Sequence, residues 1–426
     1  MPTQKHICII GNGIAGITAA RHIRKLSDHP ITIISSESTY FYSRTALMYI
    51  YMGHMKFEHT KPYEDWFWAK NRLNLVQALV EKVDFSNKKI LLSTSESIDY
   101  DDLILAIGSK SNRFGWPGQD LKGVQGLYSI QDLEAMEANT QGIKKAIIVG
   151  GGLIGVEMAE MLISRKIKVT FLARESNFWD NVLPLEEAQL IEREIKKHGI
   201  DLRLNSELAE IIGDETNKVV QIKTKANETI DCEFLGITVG VSPNIDFLKN
   251  TDLEVSKGIL VNEYLQTNLP NVYAIGDCVE HQNPPEGRRN IEQIWYSGKI
   301  MGETLAQTIC GNHTQYEPGI FYNSAKFFDI EYSVYGSIPN NLPDNVSTFY
   351  WENKAANKCL RINFDIATNQ IVGIHAFGIR IRQSIAIKWI KNKNTIASVL
   401  SELEKVNFDA EFSKTYFSEI QESATI

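Results

Sequence analysis

Long apolar runs are missing from this sequence. No stretch approaches the roughly 20 consecutive apolar residues that a membrane-spanning helix requires, so no membrane span is predicted. Cysteine is scarce. The five in 426 residues, Cys8, Cys232, Cys278, Cys310 and Cys359, are widely scattered. No two stand at the close spacing of a redox dithiol or a zinc knuckle, so reduced structural thiols are expected and no metal site is. Positive charge is also short, with 44 Lys+Arg against 52 Asp+Glu and a net charge of −8. Nucleic acid is thereby excluded as the principal partner, since phosphate binding needs a basic face. The chain runs from Met1 through Thr3, Gln4 and Lys5 straight into an apolar strand, so no leader peptide is expected. Cytoplasmic residence is the default expectation.

What is present is glycine in a particular pattern. The length exceeds what one core fills, so two or three domains are expected. The apolar run from His6 to Ile10 ends in Gly11-Asn12-Gly13-Ile14-Ala15-Gly16, and a helical pattern follows through Ala19, Ala20, Ile23 and Leu26. That is strand, glycine turn, helix. The unit repeats where Lys145 to Val149 leads into Gly150-Gly151-Gly152-Leu153-Ile154-Gly155 and a helix with Val156, Ala159, Met161 and Leu162. A third glycine turn follows Val272-Tyr273-Ala274-Ile275 at Gly276-Asp277. Beyond about residue 320 the texture changes to aromatic-rich strands, with Phe327, Phe328 and Tyr332 as expected strand core.

A G-x-G-x-x-G turn lets the backbone approach a pyrophosphate, whose charge then rests on the following helix N-terminus. One such motif is weak, because glycine turns are common; two in one chain point to two dinucleotide sites. After the first, Glu37 ends the second strand at the distance where a carboxylate holds ribose hydroxyls. After the second, the strand Val169 to Leu172 is followed by Ala173, Arg174 and Glu175. Arg174 suits the 2′-phosphate of NADPH, while Glu175 keeps NADH open, a slight lean to NADPH. His198 and His281 show no metal-ligand spacing and read as surface or loop residues.

These glycine turns, in this order, resemble the FAD-dependent pyridine nucleotide-disulfide oxidoreductase superfamily. The chain is most similar to rubredoxin and ferredoxin reductases and the flavin part of bacterial NAD(P)H nitrite reductases. The resemblance covers about three quarters of the chain and implies FAD plus NADH or NADPH. It places Gly11, Gly13, Ile14, Ala15 and Gly16 at the FAD pyrophosphate, Glu37 at its ribose, Arg44 beside it and Val80 at adenine. Ala106 and Gly108 then lie at the strand end, Asp277 at the ribityl chain, and Trp295, in Glu292-Gln293-Ile294-Trp295, along the flavin ring. Gly150, Gly152, Leu153, Ile154 and Gly155 fall at the nicotinamide nucleotide, with Glu157 positioning the nicotinamide end. Departures are Ile107 for a threonine, Tyr49 for a lysine, Tyr128 for a phosphate-binding arginine and Thr45 for an oxidase cysteine.

The implied fold class is α/β, with two Rossmann-like, three-layer nucleotide-binding domains, the second inserted in the first. The FAD domain takes residues 1–114 and 242–318, the NAD(P) domain 115–241, and a C-terminal α/β interface domain 319–426. The implied function is hydride transfer from NAD(P)H to flavin, then electron delivery to a ferredoxin- or rubredoxin-type acceptor without a redox-active disulfide. An NAD(P)H oxidase or quinone reductase is one alternative, and a redox-regulated binding module resembling apoptosis-inducing factor is another. From Ile366 to Ser401 there is no Asp or Glu, whereas Arg380, Arg382, Lys388, Lys391 and Lys393 are present. That local reversal of sign, around an expected amphipathic helix from Ile385 to Ile390, suits a small acidic electron-carrier protein.

Overall fold

The computed structural model describes residues 4–408, 411 and 414–424. The elements that position the sites begin with β1 (Ile7–Ile10), α1 (Ile14–Leu26), β2 (Ile31–Ser35), β3 (Leu73–Gln77) and β4 (Asp102–Leu105). Next come β5 (Val124–Gln125), α2 (Ile130–Asn139), β6 (Lys145–Val149), α3 (Leu153–Ser164), β7 (Lys168–Leu172), α4 (Leu185–Lys197), β8 (Asp201–Arg203) and β9 (Phe234–Ile237). The chain continues with β10 (Val272–Ala274), α5 (Trp295–Ile309), β11 (Tyr322–Phe327), β12 (Ile330–Gly336), β13 (Val346–Glu352), β14 (Cys359–Asp365), β15 (Ile371–Phe377) and α6 (Gln383–Lys391). They divide between two units: Met1–Asn112, Tyr128–Glu137 and Val241–Pro318 in one, and Arg113–Leu127, Ala138–Gly240 and Gly319–Ile426 in the other. Among the described residues no helix is long and apolar enough to cross a membrane.

The first unit is built on a parallel sheet in the order β10-β4-β1-β2-β3. Strands covered on both faces read as continuous apolar runs, and Ile7, Cys8, Ile9, Leu103, Ile104 and Leu105 are all fully buried. From β1 the chain steps outward to β3, then returns to the other side of β1 as β4. The crevice at that reversal, outside the strands' carboxyl ends, is where open α/β sheets take ligands. Helix α5 lies against α1 at small residues: a Cβ on Gly302 would stand 2.6 Å from the Ala15 carbonyl oxygen. Residues 128–137, expected within the inserted domain, belong to this unit. They are held there by Arg44 Nη1 donating to the Tyr128 carbonyl at 2.5 Å and by the Ile130 amide donating to Glu37 at 3.0 Å.

The second unit repeats the architecture, with a parallel sheet in the order β8-β7-β6-β9-β5. It also contains an antiparallel sheet, β11-β12-β15-β14-β13, formed by the residues after 320. Phe327, Phe328 and Tyr332 are buried there. Helix α6 lays Ala386, Trp389 and Ile390 against this sheet, an amphipathic helix slightly longer than its apolar pattern suggests. A buried ion pair ties α4 to the sheet: Arg361 donates to both Glu187 carboxylate oxygens, at 2.6 and 2.9 Å. His375 Nδ1 lies 3.4 Å from the same carboxylate.

Candidate dinucleotide-binding sites

In the first unit three glycines do three different jobs. Gly11 has φ +112°, and a Cβ there would fall 2.0 Å from the Ala106 carbonyl oxygen at the end of β4. Only glycine permits both that backbone angle and that approach. Gly13, the N-cap of α1, has open space where a Cβ would stand, and a Cβ on Gly16 would meet the Gly11 carbonyl oxygen at 2.1 Å. Ile14 and Ala15 open the helix, whose first turn carries no acidic side chain. Its unpaired N–H groups and positive dipole end are therefore left for an anion. Asn12 pins the loop by donating to the Ser38 carbonyl at 2.7 Å.

Beside this cradle runs a chain of polar contacts. Arg44 donates to Glu37 at 2.9 Å (Nη1 to Oε1) and 2.6 Å (Nη2 to Oε2), and the Tyr42 hydroxyl donates to the same Oε1. Burial would raise the Glu37 carboxyl, but hydrogen bonds and charge from Arg44, with help from Tyr42, hold it below its ordinary value. The Arg44 guanidinium also sits 4.4 Å from the centre of the Tyr128 ring. The Tyr128 hydroxyl accepts from the Ser109 amide at 2.9 Å and donates to Asp277 Oδ2 at 3.4 Å. Burial pushes the Asp277 carboxyl up to about 6, against the opposing influence of Arg44, Tyr128 and Ser109.

Tyr128 is the residue that sequence reasoning undervalued, reading it only as a missing arginine. It closes the path between Glu37 and Asp277, and it lies against Gly108, where a Cβ would stand 2.9 Å from its hydroxyl. Of the remaining expected residues, Val80 is buried at the start of a short hairpin strand. Trp295 begins α5 with its ring 6.1 Å from that of Phe41. Glu292 accepts from Arg288 Nε at 2.6 Å and from Ser297 Oγ at 2.8 Å. His281, read as surface or loop, is instead a strand residue only 3% exposed, stacked on Tyr316, with burial lowering its pKa to about 4.

The second unit presents the same cradle. Gly150 has φ +111°, and a Cβ there would lie 2.4 Å from the Thr238 carbonyl oxygen just beyond β9. Gly152 caps α3 with open space around it, and a Cβ on Gly155 would meet the Gly150 carbonyl oxygen at 2.7 Å. Leu153 and Ile154 form the first turn, again without an acid. Past β7, Arg174 is exposed, and its Nε donates to Glu175 at 2.9 Å. Glu157, half-buried on α3, is pushed up to about 7 by burial and by Glu160, which lies on the same helix face.

No thiol competes for the chemistry. All five cysteines are free. Burial pushes Cys8, Cys232 and Cys278 up to about 12 and raises Cys310 and Cys359 as well, which disfavours the reactive thiolate. Thr45 is exposed beside Arg44, with its hydroxyl 3.2 Å from that of Ser43.

Two Rossmann-type sheets, each with a glycine turn cradled by the neighbouring strand's carbonyl, define a protein with two candidate dinucleotide sites. The chain belongs to the pyridine nucleotide-disulphide oxidoreductase family, whose model matches residues 5–298. It is 29% identical over 380 residues to a nitrite reductase [NAD(P)H] of Bacillus subtilis, covering 88% of this chain but 46% of that protein. The chain thus spans less than half the length of that relative. It is 26% identical to an NADH-rubredoxin oxidoreductase of Clostridium acetobutylicum, covering 93% of this chain and 99% of that one. The fold superposes with a TM-score of 0.80 on a ferredoxin reductase from Rhodopseudomonas palustris, at 20% identity over 88% of this chain and 91% of the other.

Proposed function

We propose that this chain is a flavin-dependent NAD(P)H oxidoreductase that passes electrons to a ferredoxin- or rubredoxin-type acceptor without a protein disulfide. FAD and a nicotinamide nucleotide are standard cofactors of the family. The carrying observation is the doubled cradle, Gly11 against Ala106 and Gly150 against Thr238. The residues of the first unit fit FAD: the Gly11 to Gly16 turn and α1 N-terminus hold the pyrophosphate, Glu37 the ribose, and Asp277 the ribityl hydroxyls. The Gly150 to Gly155 turn holds the nicotinamide dinucleotide, Arg174 favours NADPH, and Glu157 orients the nicotinamide end. A bound flavin supplies acceptance of a hydride and release of electrons singly, while the chain supplies binding, orientation and exclusion of water.

The acceptor reading rests on relatives such as the NADH-rubredoxin oxidoreductase, which matches 93% of this chain and 99% of its own. The inert thiols support electron exit without a cysteine relay. The test is anaerobic stopped-flow reduction of the FAD-loaded protein by NADH and by NADPH, followed by reoxidation with ferredoxin, rubredoxin, quinone or oxygen. Fast reoxidation by an iron–sulfur or rubredoxin carrier is expected. Fast reoxidation by oxygen or quinone alone overturns the carrier reading, and equal loss of NADH and NADPH affinity in Arg174→Ala overturns the coenzyme reading.

A further inference from the structure

Within the second unit, three side chains that sequence spacing does not connect meet at one point. Glu194 and His198 stand one turn apart at the end of α4, where His198 is the C-cap. Asp329 lies in the tight turn between β11 and β12. His198 Nε2 is 3.1 Å from Glu194 Oε1 and 3.3 Å from Asp329 Oδ2. One ligand atom from each residue lies within 4.8 Å of the others, the only such group among the described residues.

We propose that Glu194, His198 and Asp329 form a binding site for a divalent transition cation of the zinc class. A tetrahedral zinc ion with bonds of about 2.1 Å sets its ligand atoms about 3.4 Å apart, and the two histidine–carboxylate separations match that edge. One imidazole with two carboxylates leaves a fourth position for water, as in a three-ligand site. The imidazole nitrogen selects zinc over magnesium or calcium, which take oxygen ligands.

Two further features suit a cation at this place. The His198 ring is stacked on Phe328, with centroids 4.6 Å apart and planes 20° apart, which fixes the direction of Nε2. The site also sits at the C-terminal end of α4, where the helix dipole favours positive charge. Lys197 is the competing cation: its Nζ lies 3.2 Å from Glu194 and 3.6 Å from Asp329. Its side chain is 60% exposed, on a flexible stem that can swing into water when a metal arrives. Bound metal would clip α4 to the β11–β12 turn.

The experiment is calorimetric titration of Zn2+ into the FAD-loaded, metal-stripped full chain, with Mg2+ as the control. One Zn2+ per chain is expected, with affinity falling by more than about tenfold in His198→Gln and in Asp329→Asn. Asp329 is exposed, so its variant tests the site without disturbing the core. Lys197→Ala should bind Zn2+ at least as tightly as the parent, and flavin reduction by nucleotide should be unchanged in both ligand variants. No Zn2+ binding, binding that survives both ligand variants, or equal affinity for Mg2+ each overturns the proposal.

Discussion

Arg44 and Glu37 form a two-point ion pair, with hydrogen bonds of 2.9 and 2.6 Å, at the end of β2. With Tyr42 and the Ile130 amide also donating to Oε1, the open acceptor capacity of Glu37 lies on Oε2. In the proposed assignment, Arg44 therefore sets which face of the carboxylate is open to a ribose. Glu37→Gln keeps the shape and removes the charge, and it should weaken FAD binding by about 10- to 100-fold, a loss of about 1.5–3 kcal/mol. Arg44→Met should weaken it too, and should destabilise the apoprotein by about 1–3 kcal/mol, less than for a fully buried pair. Fluorescence titration of apoprotein with FAD measures the first effect and urea unfolding the second. Wild-type affinity in both variants would remove Glu37 from the site.

Much of this arrangement was legible in the sequence, for a physical reason. The glycine turns are local: strand, turn and helix adjoin, and Gly16 and Gly155 are each required by a clash with the carbonyl of the first glycine of their own motif, while Gly13 and Gly152 leave open space. The Gly11–Ala106 and Gly150–Thr238 approaches follow once the parallel sheet order is inferred. Contacts made by tertiary return were not legible. Tyr128 reaches Asp277 across 149 residues, and Arg361 finds Glu187 across 174. His198 shows no metal spacing along the chain because its second carboxylate arrives on another element. His281 reads as a surface or loop residue because nothing in its sequence neighbours announces the Tyr316 ring that covers it.

Asp277 should cost the apoprotein stability at neutral pH. Its carboxyl is raised by burial from 3.8 to about 6, so the folded state binds the proton more tightly than the unfolded chain. The stabilisation this gives is complete below pH 3.8 and is lost as pH rises through about 6. The difference is on the order of 3 kcal/mol between acid and pH 8. Asp277→Asn should therefore make the apoprotein more stable than wild type at pH 8, with the advantage shrinking towards pH 4. FAD affinity should fall in the same variant. A stability difference independent of pH in urea titrations would count against the raised carboxyl.

The Glu187–Arg361 pair predicts the opposite slope. Burial opposes ionisation of Glu187, but the neighbouring His375 and the hydrogen bonds and charge of Arg361 outweigh it and hold the carboxyl below its ordinary value. Its stabilisation is present above that ordinary value and is lost as pH falls through the depressed one. Burial also lowers the pKa of His375, so protonation of the unfolded chain below about pH 6.5 adds to the acid loss. Arg361→Met leaves Glu187 buried without its guanidinium partner, and should cost about 3–5 kcal/mol at pH 7. The double variant Arg361→Met with Glu187→Gln should recover most of that. Failure of the second change to rescue the first, in urea unfolding at pH 7, would show that Arg361 acts instead through its guanidinium packed 4.8 Å from the centre of the Tyr350 ring.

The basic stretch after β15 gives the test of the acceptor. Of its five cationic side chains, Arg380 is paired with Glu331. Lys388, Lys391 and Lys393 are exposed, and none forms an ion pair among the described residues. Lys388 and Lys391 occupy the last turn of α6, where they offset the negative end of the helix dipole. The buried face of that helix carries Ala386, Trp389 and Ile390, so reversing the lysines leaves its packing intact. On a chain of net charge −8 this patch is a local reversal of sign, and it would raise the encounter rate of an acidic carrier at low ionic strength. Screening over a Debye length of about 8 Å at physiological salt should erode that advantage as salt rises. Reversing the three lysines to glutamate should leave flavin reduction by nucleotide unchanged. The second half-reaction, reduction of an acidic ferredoxin, should slow at low salt and lose its dependence on salt. The comparison is made by stopped flow at several ionic strengths, with oxygen as an uncharged acceptor for control. If the variant reduces ferredoxin at the wild-type rate throughout, the carrier docks on another surface and these lysines serve only to solvate α6.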